Sequence, residues 1–326
     1  MSSKLSDYDY HLPRELIAQR PLARREDSRM MVLRRDAKTI EHRQFREVKT
    51  FLQPDDLLVL NDTRVLPAQR FSHDGAVEFL FLERLGPRRW RCLVKPGRKM
   101  RVGATAKIDN ATMRVEEITP EGERVVLLDE DVDLHAGGSM PLPPYIGRES
   151  DADDVSRYQT IFAQVPGALA APTAGLHFTP EILAEIPHTF VTLHVGTGTF
   201  LPVRSENVAQ HRMHAEHFSI SASAAAKIDN AKQIAAVGTT VVRVLESARR
   251  ENGELIAQTG STDIFIYPPY RFQHVDHLLT NFHLPRSTLL LLVSAFVGRE
   301  FLLRAYEEAI RERYRFYSYG DCMLIL

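Results

Sequence analysis

Cysteine is scarce in this chain. Only Cys92 and Cys322 occur among 326 residues, far apart, so neither a disulfide framework nor a cysteine-based zinc site is expected, and a reducing cytoplasm suits the composition. Long apolar runs are missing too. The longest, Leu289 to Val297, carries Ser294 inside it and falls short of the roughly 20 residues that span a bilayer. The N-terminal MSSKLSDYDYHLPREL has no apolar signal core, so the reading is a cytoplasmic protein without membrane attachment. Charge of one sign is lacking as well, since the formal net charge is −1. That balance argues against gross electrostatic attraction to nucleic acid.

The average hides local bias. From Arg84 to Arg101 there are eight Lys/Arg and no acid, with the single tryptophan, Trp90, in the middle. Such a band is either a phosphate-contacting face or the solvated outward positions of strands. Glu116 to Asp133 and Glu149 to Asp154 are acidic. A hydrophobic fraction of 44% with 25% charged residues is that of an ordinary folded protein, long enough for two domains.

The patterning places those domains. An early helix signal covers Asp7 to Gln19, opened by Pro13-Arg14-Glu15. Met30 to Leu33 reads as a strand, Phe45 to Leu52 as a short helix, and Asp55 to Leu60 as a buried strand ending at Asn61-Asp62-Thr63-Arg64. That tetrad is either a ligand site at a strand end or a turn bonded to its own backbone. From Val65 to Gly147 short alternating runs follow one another without helices, which suggests a small barrel or sandwich. The fold expected is therefore α/β: a large α/β domain (1–64 plus 148–326) with an inserted small β-barrel domain (65–147). Strands at 234–237 and 263–267, helices at 241–250 and 289–297, and a final strand or base-stacking segment in the aromatic stretch 314–321 complete it.

Polar chemistry is concentrated late in the chain. Nine of thirteen histidines lie between His177 and His283. Ala171 to Val203 places two histidine-bearing turns around one short helix: Pro172 to His177, and His194 at the edge of Gly196-Thr197-Gly198-Thr199. Turns rich in Gly and Thr at strand ends are where α/β proteins hold ligands. Gly238-Thr239-Thr240 and the Asn281 to Ser287 segment, which precedes an apolar helix, repeat the pattern. His211, His214 and His217 recur every third residue beside Glu216, but such spacing drifts around a helix, so no metal site is expected. A metal-dependent hydrolase and a non-catalytic RNA-binding protein are the rival readings from other classes.

Longer motifs are more specific. APTAGLHF, VTLHVGTGTFLPV, HRMHAEHF, AVGTTVVRVLES, LLTNFHLPRSTLLLLVSAFVG and YRFYSYGDCMLI, with NDTRVLPAQR and PPYIGR before them, resemble the S-adenosylmethionine:tRNA ribosyltransferase-isomerase family of queuosine biosynthesis, in order and over nearly the whole chain. Three segments, 69–77, 185–190 and 232–236, are shorter than the family pattern, and Ser261, Pro269 and Cys322 stand where it has Trp, Gly and Ala.

The resemblance implies a tRNA-modifying enzyme. The ribosyl part of S-adenosylmethionine would pass to a 7-aminomethyl-7-deazaguanine base at the wobble position of a tRNA with a GUN anticodon and isomerise to an epoxycyclopentane, releasing adenine and methionine. S-adenosylmethionine would be a consumed co-substrate, with no cofactor and no metal, and the enzyme a monomer. Matching motifs and the crowding of polar groups make His177 and His194 the leading acid/base candidates, with Glu216 and His283 behind them. Thr173, Gly175, Gly196, Thr197, Gly198, Thr199, Thr240, Arg243 and Asn281 are expected to contact S-adenosylmethionine. Arg64, Tyr145, Arg148 and the basic band of Arg88, Arg89, Arg91, Lys95, Arg98, Lys99 and Arg101 are expected to contact tRNA.

Overall fold

A nine-stranded mixed sheet organises the chain. In the computed structural model, residues 4–135, 137–196 and 205–326 are described. Four neighbouring strands, His188–Leu193, Asp56–Asn61, Gln233–Val237 and His277–Asn281, run parallel. Asp56–Asn61 is buried along its whole length, which explains the unbroken Leu57-Leu58-Val59-Leu60 run: a strand covered on both faces has no polar side to alternate with. Glu216–Ile220 and Gln258–Thr262 extend one edge antiparallel, and Cys322–Ile325, Arg29–Arg34 and Thr39–Gln44 extend the other.

Helices cover the sheet. Thr288–Val297 is capped by Ser287 Oγ, which accepts from Leu290 N at 3.2 Å, and is buried on nearly every side. Arg299–Arg311 follows and turns Phe301, Leu302, Ala305, Tyr306 and Ala309 inward. Those positions form one stripe at the helical period.

The second body lies within 65–147. Six antiparallel strands run in the order Gln69–Phe71, Glu78–Gly86, Arg89–Lys95, Arg124–Leu128, Ala111–Ile118, Thr105–Ile108. His73 N donates to Lys107 O at 2.9 Å, bringing the first and last strands together into a nearly closed barrel. Phe79, Phe81, Cys92, Met113, Val115 and Val126 fill it as a core of its own. At its root, Thr63–Val65 leaves the main body beside the returning Val165–Ala168, and the two pair in parallel.

Three local expectations are overturned. Residues 7–19 form not an α-helix but two short turns of 3-10 helix, Leu5–Tyr8 and Arg14–Leu16. Pro13 disfavours helix at Leu12, and the backbone of Leu16 and Ala18 is taken by Phe316 instead, at 2.8 and 3.2 Å. The strand expected at 263–267 lies earlier, at Gln258–Thr262; Ile264 N turns back to Thr262 Oγ1 at 3.2 Å, ending the ladder before Pro268. In 314–321 the aromatics Tyr314, Phe316, Tyr317 and Tyr319 are buried, but in a looped segment, and the strand begins only at Cys322.

Candidate active site

The parallel strands all end at one edge, at Asn61, Leu193, Val237 and Asn281. Glu216, Thr262 and the 317–321 loop reach the same edge through their pairing with these strands. Chain direction therefore delivers there the polar segments that begin at Asn61, His194, Gly238 and Asn281. A pocket opens among Thr173, Thr240, Asn281, His283, Tyr145 and Tyr317. Thr240 Oγ1, Asn281 Oδ1 and Tyr317 OH on its wall are buried without a partner among the described residues. Unpartnered buried polar atoms are costly unless a ligand completes them.

His177 ends the Thr173–His177 turn and is 4% exposed. Its Nδ1 lies 2.7 Å from Ser28 Oγ, and the Ser28 hydroxyl donates to Arg25 O at 3.1 Å. His177 Nε2 has no partner within hydrogen-bond distance among the described residues. Burial pushes His177 down to about 4, Asn281 opposing and Arg25 and Arg315 adding to the fall. His283 is driven down to about 3 by burial alone. Its Nε2 meets Thr280 Oγ1 at 2.8 Å, its amide donates to Tyr306 OH at 2.9 Å, and Tyr10 OH donates to its carbonyl.

His194 differs from both. It is half-buried; burial lowers its pKa, with His217 adding and Asp62 opposing. Its Nδ1 lies 2.8 Å from Thr63 Oγ1. A Cβ built on Gly167 would stand 2.7 to 2.9 Å from its Cε1, Nδ1 and Nε2, so the returning root strand holds the ring face. His194 thus remains the most approachable of the three, beside Val195, which lines the pocket. Asp62 accepts from Thr192 Oγ1 at 2.6 Å, and burial raises its pKa. Asn61 is a staple: its amide side chain joins Leu193 N, Leu193 O and Thr63 N at 2.9 to 3.1 Å. The tetrad is turn and site residue at once.

Glu216 and Arg243 form a buried ion pair, 5% and 4% exposed. Glu216 Oε1 also accepts from Gly196 N at 2.9 Å, which anchors the start of the Gly-Thr turn. Arg243 gives Nη1 to Glu216, keeps a buried Nη2 without a partner among the described residues, and is not among the residues that line the pocket. Thr197, Gly198 and Thr199 lie outside the described residues. Gly175 is likewise set apart: a Cβ there would meet Phe162 and Thr160 at 2.8 and 2.9 Å, so packing requires the glycine.

Two residues expected to project toward RNA are turned inward. Tyr145 lies in the pocket wall, its ring 4.5 Å from that of Tyr317 and its hydroxyl 2.6 Å from Ser318 Oγ. Arg148 forks onto the buried carboxylate of Asp154 at 2.6 and 2.8 Å, because Asp154 is otherwise an uncompensated interior charge. The barrel band divides. Arg89 pairs with Glu116 and Arg91 with Glu83 and Glu123, while Arg88 donates to Asp129 O and Lys99 to Ala76 O. Lys95, Arg98, Arg101 and, on the main body, Arg64 are exposed and in no ion pair among the described residues. Trp90 is packed edge-on to Phe81 and belongs to the barrel core. His217 lies on the solvent side of its strand and Glu216 on the buried side, so the histidine trio does not converge.

Sequence reasoning missed Ser28, Tyr10, Thr280, Tyr317 and Ser318. Their signal was weak: a lone serine and tyrosines in aromatic stretches acquire roles only through tertiary contact.

The comparisons with known proteins agree with one another. A family profile described as "Queuosine biosynthesis protein" matches residues 5–325. The S-adenosylmethionine:tRNA ribosyltransferase-isomerase of Carboxydothermus hydrogenoformans is 49% identical, covering 99% of this chain and 100% of that protein. Its namesake from Clostridioides difficile is 46% identical with similar coverage. The crystal structure of S-adenosylmethionine tRNA ribosyltransferase from Thermotoga maritima aligns with a TM-score of 0.57 at 38% identity, covering 98% of this chain and 100% of that one. With motifs, sheet edge and full-length similarity in accord, this chain belongs to the queuosine biosynthesis family of S-adenosylmethionine:tRNA ribosyltransferase-isomerases.

Proposed function

We propose that the pocket at the sheet edge binds S-adenosylmethionine and that the chain transfers and isomerises its ribosyl part onto a 7-aminomethyl-7-deazaguanine base at the wobble position of a GUN-anticodon tRNA. The products are epoxyqueuosine-tRNA, adenine and methionine. The observation that carries the reading is the convergence of unpartnered Thr240, Asn281 and Tyr317 atoms with His283 in one pocket, whose wall also includes Val195, the neighbour of His194. The chemistry needs a base for the proton beside the sulfonium, an acid for the departing adenine, and a neutral amine nucleophile. His194 fits the proton-transfer role best, since it keeps partial access to solvent and is held in place by Thr63 and Gly167. His177, kept neutral by burial and with its Nε2 unpartnered among the described residues, suits a second proton-transfer role. Glu216, held in place by Arg243, anchors Gly196 directly by accepting from its amide.

S-adenosylmethionine is consumed, and the proposed steps use neither metal nor cofactor. The exposed Lys95, Arg98, Arg101 and Arg64 supply phosphate contacts. A cytoplasmic monomer suffices, because every proposed group lies on one chain; no helix among the described residues is long and apolar enough to cross a membrane. The test is incubation with S-adenosylmethionine and an anticodon stem-loop bearing the aminomethyl base, followed by mass spectrometry of the RNA and assay of free adenine. A mass gain with stoichiometric adenine is expected; an RNA of unchanged mass with no free adenine would refute the assignment.

A further inference from the structure

Arginines gather around His177 without carboxylates to answer them. Arg25 comes from the N-terminal segment, Arg157 from the end of the Ala152–Arg157 helix, and Arg315 from the C-terminal loop. Arg25 donates to Leu176 O and Ser156 O, both at 3.0 Å, and Arg157 to Ala23 O and Leu22 O at 3.1 and 2.6 Å. Arg315 donates to Arg20 O. None of the three is in an ion pair among the described residues. The neighbouring acids are engaged elsewhere: Asp154 with Arg148 and Tyr319 OH, Glu26 with Arg24, and Asp321 with the backbone amides of Arg29 and Arg315.

Carbonyl groups satisfy guanidinium donors but do not neutralise their charge, and a partly desolvated cation without a counterion is unfavourable. Burial accordingly lowers the pKa of both Arg25 and Arg315; Arg157 lowers that of Arg25 further, while Asp321 partly offsets the fall at Arg315, so Arg25 and Arg157 are the cations least compensated. Donors remain free. Arg157 Nε on the pocket wall, and Arg315 Nη1 behind it, are buried and unpartnered among the described residues. Arg25, Arg157, Ser28 and His177 line a shallow pocket whose wall shares Ser318 with the S-adenosylmethionine pocket. One bidentate fork would suffice for a lone carboxylate, whereas several guanidiniums from separate segments match a phosphate-bearing strand.

We propose that this pocket is a phosphate site for the backbone of the RNA substrate, holding the strand while its modified base enters the adjoining pocket. The proposal rests on the tRNA reading above. It is tested by fluorescence anisotropy of a labelled anticodon stem-loop at several KCl concentrations, with Arg157→Gln, Arg25→Gln and the corresponding Lys variants. Thermal unfolding and calorimetric titration of S-adenosylmethionine run alongside. Each Gln variant is expected to weaken stem-loop binding about tenfold, as loss of a charged hydrogen bond does, and to flatten the slope of log K against log salt by roughly 0.7 to 0.9 for one contact. The Lys variants are expected to keep the slope, and S-adenosylmethionine affinity to stay unchanged. A lowered melting temperature with an unaltered salt slope would make the arginines structural staples and overturn the site. Weaker S-adenosylmethionine binding with unchanged RNA binding would overturn it in favour of the methionine carboxylate. Failure of the parent reading is separate: there the unaltered protein releases no adenine.

Discussion

The arginines of the barrel and those around His177 belong to one residue type and meet opposite fates. On the barrel, Arg84, Arg89 and Arg91 lie on exposed strands and pair with carboxylates of neighbouring barrel segments. Around His177 they are drawn half into the interior and find only carbonyls. A dense basic run in a sequence therefore says little about binding until its acids are located. Surface pairs of the barrel kind contribute about 0 to 1 kcal/mol; unbalanced cations beside a pocket persist only where something later answers them.

That contrast between satisfied and unsatisfied groups orders the expected effects. The largest belongs to the sheet edge: His194→Ala is expected to cut single-turnover adenine release by roughly 10²- to 10⁴-fold while stem-loop binding persists, and near-normal turnover would remove His194 from the proton transfers. Next comes the buried pair. Arg243→Met strands Glu216 and is expected to cost about 3 to 5 kcal/mol in urea unfolding, a loss that Glu216→Gln in the same chain partly repairs.

Acid is expected to act on the sealed histidines. His177 is held at about 4 and His283 at about 3 in the folded chain, against about 6.5 unfolded. Between those values the unfolded chain binds more protons, so their contribution is fully present above about pH 6.5 and is lost as pH falls toward 4 and then 3. At ~1.4 kcal/mol per unit the loss is of the order of a few kcal/mol for each histidine. His283→Asn should make the stability profile between pH 6.5 and 4 measurably shallower; an unchanged slope would refute the burial argument. The smallest effect is the control from the barrel: Arg89→Ala is expected to change stability by less than about 1 kcal/mol, and a larger loss would mean that the barrel pairs are not the surface ties they resemble.

Much of the fold was legible because it follows from periodicity. Leu57 to Leu60 and Ile234 to Val237 are fully buried strands, and unbroken apolar runs announce them; Ser287 before Leu289 announces the central helix. The failures share one cause. Pro13 to Leu16 has helical composition, yet its backbone bonds go to Phe316, about 300 positions away, and no local pattern reports a partner that distant. The site was legible to the same degree. Thr240, Asn281 and His283 lie in turns at strand ends, where chain direction alone predicts a pocket. Arg243 and Arg148 were read as ligands because Glu216 and Asp154 could not be seen beneath them. Ser28 was invisible because its function is a single contact with His177.

The paired root strands deserve a last consequence. Thr63 on the departing strand takes Nδ1 of His194, and Gly167 on the returning strand takes the face of its ring. The inserted barrel is thus grafted onto the scaffold at the residue proposed for proton transfer. Transplanting the barrel at any other junction would carry away half the socket of the histidine.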